Sequence, residues 1–127
     1  MELEEKDCVK LRQKFQKCRK IFWAIGDEVK QDILLGIVDG KCGGNRVIDI
    51  AQKINLSRPA VSRHMQELVD AGILKTRKEG TYIYYYIDPS AFDLDFLIEI
   101  FQDMKKVLGK LPDRSGSGSS SENLESK

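Results

Sequence analysis

Histidine is almost missing from this chain: 127 residues contain one, His64. It lies inside a helical pattern with no Ser or Cys nucleophile for it to orient, so acid–base and triad chemistry lack their parts and no enzyme is expected. Cysteine is scarce as well, with Cys8, Cys18 and Cys42 in all, too few for the disulfide framework of a small secreted protein. No apolar run approaches the roughly twenty residues that span a bilayer. The opening MELEEKDCVK is charged and lacks an apolar secretory core, so a cytoplasmic protein is expected. Excess charge of either sign is missing too: the net charge is +1, and no global field points to a polyanionic partner. The length leaves no room for a second domain, although 41% apolar residues suffice for one core.

The informative stretch is 47–88, VIDIAQKINLSRPAVSRHMQELVDAGILKTRKEGTYIYYYID. Apolar residues recur at three and four in Val47, Ile50, Ala51 and Ile54, and again in Val61, Met65, Leu68 and Val69, which predicts two amphipathic helices. Between them Asn55 tolerates the left-handed backbone of a sharp turn, and Ser57 is an N-cap. Pro59 fits the first turn of the second helix, which should run over about 58–71 until Gly72 ends it. With the apolar stripe consumed in packing, Arg58, Ser62, Arg63 and Gln66 are left on the opposite face, donors suited to base edges and phosphates. Residues 73–77 and 82–87 read as a hairpin around Lys78, Glu79, Gly80 and Thr81. Its tyrosines, Tyr82, Tyr84, Tyr85 and Tyr86, are expected to pack on neighbouring helices rather than stack on bases.

LSRPAVSRHMQELVDAGIL followed by a short hairpin resembles the winged helix-turn-helix core of the ArsR/SmtB family of small bacterial and archaeal repressors. The upstream AIGDEVKQDILLGIV is similar to that family's opening helix pair, with Glu28 and Val29 in place of the usual Pro-Thr/Arg, and the resemblance covers residues 21–111. It implies a mainly α fold with a small β-hairpin wing (α+β), dimerising through its N- and C-terminal helices. It also implies double-stranded DNA as partner and a repressor's function. The residues carried to the groove are Ser57, Arg58, Ala60, Ser62 and Arg63, with His64 and Gln66 beside them and Arg77, Lys78, Gly80 and Thr81 on the wing.

Two terminal segments agree with a homodimer. Cys8, Leu11, Phe15, Cys18, Phe22 and Ile25 form a narrow seam in one helix ending near Ile25, suited to a partner chain. Lys10, Arg12, Lys14, Lys17, Arg19 and Lys20 on the same helix read as a solvated face or a contact to flanking DNA. Asp27 should cap the next core helix, with Val29, Ile33, Leu34, Ile37 and Val38 inside, and residues 39–45 read as a connector without phosphate-loop spacing. Asp88, Pro89 and Ser90 should cap a last helix whose apolar face, Phe92 to Leu111, exceeds what a small monomer covers. The folded domain is thus 1–111, and 112–127 is a disordered tail or an appended linker.

The resemblance raises metal sensing, and the residues argue against it. The segment matching the family's thiolate pair, residues 47–51, has no cysteine; Asp93-Leu94-Asp95 replaces the opening of the last-helix site, and Lys105 and Lys106 fall near its second half. No metal and no cofactor are expected. Cys8 and Cys18 are ten residues apart, about 15 Å along one helix, so they cannot bond within it. They are expected as packed small hydrophobes, the alternative being a thiol-redox or soft-metal site across the dimer or with Cys42. Two rivals stand beside the repressor without a metal site: a winged helix used as a protein-interaction module, and that thiol-responsive repressor. An effector, if any, is unknown.

Overall fold

The computed structural model describes residues 5–40, 45–90 and 92–116. They form α1 (Glu5–Lys17), α2 (Arg19–Ile25), α3 (Glu28–Val38), α4 (Val47–Ile54), α5 (Arg58–Asp70), β1 (Leu74–Glu79), β2 (Tyr82–Ile87) and α6 (Leu94–Gly109). Cys42 and residues 117–127 of the expected tail lie outside the described residues.

Two apolar clusters organise the chain. The larger joins Ala24 of α2, Ile33 and Ile37 of α3, Ile50 and Ala51 of α4, Val61, Met65 and Leu68 of α5, and Ile73, Leu74 and Tyr85 at the foot of the hairpin. This is the stripe expected for α4 and α5. On α3 the expectation fails at Val38, which is 72% exposed, because the buried line there runs through Lys30, Ile33 and Ile37 instead.

The smaller cluster holds Cys18, Leu97 and Ile100, with Leu11, Phe15, Ile21, Phe22, Phe92 and Phe96 packed around them. The N-terminal seam therefore packs on α6 of its own chain, so the two terminal helices form one unit. The expected single helix is also two: Cys18 N–H donates to Phe15 O at 3.1 Å, a tightened turn that separates α1 from α2. Polar contacts fasten the same pair of helices, since Lys14 Nζ reaches Asp103 and, at 3.1 Å, Glu99, while Lys110 pairs with Asp7 at 3.6 Å. The hydrogen bonds that Lys14 donates to Asp103 and Glu99 raise its pKa and favour its charged form. It is thus not free for DNA.

The last helix starts later than expected. Asp88 spends its carboxylate on Ser90, accepting from its N–H at 3.0 Å and its hydroxyl at 2.6 Å, and Asp93 caps α6 by accepting from Phe96 N–H at 3.0 Å. The hairpin pairs in register from Leu74↔Ile87 to Glu79↔Tyr82, leaving Gly80 and Thr81 alone in the turn. Positive φ at Gly80 (60°) and not at Thr81 is the type II′ pattern, which matches strand twist and extends β1 two residues past its expected end.

Candidate nucleic-acid interface

The turn between α4 and α5 is set by local chemistry. Asn55 adopts φ 57°, ψ 48°, and Leu56 N–H closes back onto Ala51 O at 3.2 Å, a left-handed helix stop. Two residues later Ser57 Oγ accepts from Ala60 N–H at 3.3 Å, and Pro59 sits where a missing N–H costs nothing. α5 so launched buries Val61, Met65 and Leu68 and turns Ser57, Arg58, Ser62, Arg63 and Gln66 to solvent, with Ala60 half-buried. Arg58 and Arg63 make no hydrogen bond or ion pair to another described residue. Gln66 donates to Asp70 Oδ1 at 3.1 Å on its own helix.

His64 departs from the expected set. Its side chain is 14% exposed, and Nδ1 lies 3.0 Å from Lys30 Nζ on α3, so the ring is turned into the helix pair rather than to the groove.

On the wing, Arg77, Lys78, Gly80 and Thr81 are all exposed. Arg77 is braced, with Nε donating to Glu79 Oε1 at 3.1 Å and its guanidinium 4.9 Å from the Tyr84 ring centre. Arg46, just before α4, covers the Tyr82 ring at 4.8 Å in the same way. Arginines, then, cover the rings of Tyr82 and Tyr84, and Tyr85 is the tyrosine that enters the core. The expectation that helices would pack these aromatics holds for Tyr85 and fails for Tyr82 and Tyr84, whose rings arginines cover. Lys75 is held by Asp88 at 3.2 Å, leaving Lys78 as a wing cation without a partner among the described residues.

Arg46 and Lys30 were not among the expected site residues. Arg46 carried no signal, being a lone cation after a glycine-rich loop. Lys30 did carry one: it sits three residues before Ile33 and seven before Ile37, on the buried line of its helix.

Among the described residues, the cysteines and the last-helix acids form no group of three or more that could hold a metal ion. Cys18 is buried between α1 and α6 and its thiol is pushed up by that burial, the opposite of what a poised thiolate needs, whereas Cys8 is exposed. Asp93 is engaged as the α6 cap, and Asp95 is exposed. Among the described residues no helix is long and apolar enough to cross a membrane.

A capped helix with a bare polar face, flanked by a hairpin with an exposed cationic tip, is a shape that enters a major groove and touches the backbone beside it. Residues 40–75 match the family described as winged helix-turn-helix DNA-binding. The chain is 37% identical over 75 residues to the uncharacterized HTH-type transcriptional regulator MJ1325 of Methanocaldococcus jannaschii, covering 59% of this chain and 82% of that protein. It is 32% identical over 69 residues to the arsenic resistance transcriptional regulator ArsR1 of Pseudomonas putida, covering 54% of this chain and 52%, about half, of the relative. In fold it is similar to the homodimeric winged helix-turn-helix DNA-binding domain of Mb0332 from Mycobacterium bovis, with TM-score 0.55, 22% identity, and 81% and 90% of the two chains covered. Its helix-turn-helix, its wing and these relatives together make the chain a member of the ArsR/SmtB-type family of winged helix-turn-helix transcriptional regulators.

Proposed function

We propose that the chain is a homodimeric transcriptional repressor of the cytoplasm that reads a pseudo-palindromic operator with α5 and works without the family's usual metal sites. The observation that carries this is the division of α5. Val61, Met65 and Leu68 are fully buried, while Arg58 and Arg63 stand exposed beside a capped N-terminus. Arg58 and Arg63 take base edges or phosphates, Ser57 and Ser62 take phosphates, and Arg77, Lys78, Gly80 and Thr81 meet the adjacent minor groove or backbone. His64, turned toward Lys30, leaves this set.

The dimer is supported by α6, which is apolar on two sides. Leu97 and Ile100 face α1, whereas Leu94, Ile98, Phe101 and Leu108, spaced four, three and seven, are each 53–57% exposed. Burying the exposed half of such a side chain is worth on the order of 1 kcal/mol. Eight of them in a two-fold pair reach the scale of the association cost, about 4–15 kcal/mol. A two-fold axis then sets two α5 helices one DNA turn apart.

The test is fluorescence-anisotropy binding of the reduced, chelator-treated protein to DNA from upstream of its own gene, across a salt series, beside Arg58→Ala. Selective binding with a steep salt slope, weakened by Arg58→Ala, is the expected result. Equal affinity for random DNA would instead favour a protein-interaction module.

A further inference from the structure

Lys30 and Asn45 are the buried polar residues of the described chain, and Lys30, 2% exposed, is the charged one. A buried ammonium persists only where partners replace its water. Its Nζ lies 3.0 Å from His64 Nδ1, 3.1 Å from Glu67 Oε1, 4.0 Å from Asp27 Oδ2 and 4.5 Å from the Trp23 ring centre. Asp27 is the N-cap of α3, whereas His64 and Glu67 lie one turn apart on α5, beside its core stripe and off the exposed face of Arg58, Ser62 and Arg63. Apolar contact is non-directional, so Val61, Met65 and Leu68 alone leave α5 some freedom to roll on α3. Hydrogen bonds from a fixed ammonium to two side chains at the edge of that stripe remove it.

An ammonium only donates, so in this contact His64 Nδ1 accepts from Lys30 Nζ. The charged groups facing the ring are Lys30 of α3, Asp27 at its N-cap and Glu67 of α5, the two carboxylates standing 3.9 and 3.7 Å from Nδ1.

We infer that Lys30 is the positioning residue of the recognition helix. By pinning His64 and Glu67 it fixes the roll of α5, and hence the direction in which Arg58, Ser62 and Arg63 leave the helix. The inference rests on the DNA-reading role of α5 proposed above.

Three variants test it on the full chain: Lys30→Met, which keeps the stem and removes the charge; Lys30→Arg, which keeps the donors; and His64→Leu, which removes the acceptor that Lys30 Nζ meets. Lys30→Met should melt cooperatively yet bind the operator about tenfold more weakly, the scale of one bidentate base contact. Its salt slope should be unchanged because no phosphate contact is lost, and Lys30→Arg should recover most of the affinity. His64→Leu should weaken binding in the same direction, also at an unchanged salt slope. Wild-type affinity in Lys30→Met overturns the positioning role while selective wild-type binding keeps the DNA reading. Should Lys30→Met fail to fold, His64→Leu decides, and wild-type affinity there overturns the positioning role. A wild type without selectivity overturns the DNA reading itself.

Discussion

Asn45 and Tyr85 exchange both backbone hydrogen bonds, at 2.9 and 2.8 Å, so the residue before Arg46 and α4 forms a one-residue third strand on the wing. The wing is thereby joined to the helix-turn-helix at its middle as well as through α5, and the Tyr85 ring, 7% exposed, closes the core beneath it. Tyr85→Ala should cost about 3–5 kcal/mol, as large aromatic truncations in cores do. In a domain this small that lowers Tm by about 15 °C or more, readable by circular dichroism.

Asn55 should tolerate glycine and reject branched residues. Its φ of 57° is the left-handed region, so Asn55→Val should destabilise by about 1–2 kcal/mol while Asn55→Gly stays near wild type. Urea titration distinguishes them through the midpoint at constant slope.

Asp88 sets an acid limit on the segment between wing and α6. Hydrogen bonds from the Ser90 hydroxyl and N–H, then Lys75, lower its carboxyl to about 2. Because the folded value lies below the ordinary value near ~3.9, the stabilisation is complete above that ordinary value and lost as pH falls toward about 2. Ser90→Ala removes the leading cause. Carbon-detected NMR titration should show the Asp88 carboxyl moving up toward the ordinary range; an unmoved titration would contradict the assignment.

Thiol reagents should separate the cysteines of the two N-terminal helical segments. Cys8 is exposed and should be labelled promptly, whereas Cys18, buried with its thiol pushed up, should react only as fast as the α1/α6 contact opens. Mass spectrometry of a labelling time course tells them apart. Equal rates would put Cys18 back among candidate redox thiols.

Lys78 at the wing tip has no partner among the described residues, unlike Arg77 beside it. If it meets a phosphate, Lys78→Ala should weaken binding uniformly across sequences and reduce the salt slope by about 1. A loss confined to one base pair would mark a base contact instead.

What the sequence determined by itself is what depends on neighbours along the chain. The periods of α4 and α5, the Asn55 turn, the Ser57 and Asp27 caps, the Gly72 stop and the bare polar face of α5 follow from spacing and side-chain chemistry, and these stand in the structure as the residues imply. The winged helix-turn-helix was legible for that reason. The tertiary structure decided what depends on pairs far apart in sequence. A seam such as Leu11, Phe15 and Phe22 states that it must be covered, but not by what, and the structure covers it with α6 of the same chain. Lysine reads as solvent-facing until His64 and Glu67, brought 34 and 37 residues across the chain, replace its water. Burial of a polar group is settled by its partners, and partners from distant segments meet only when the fold closes.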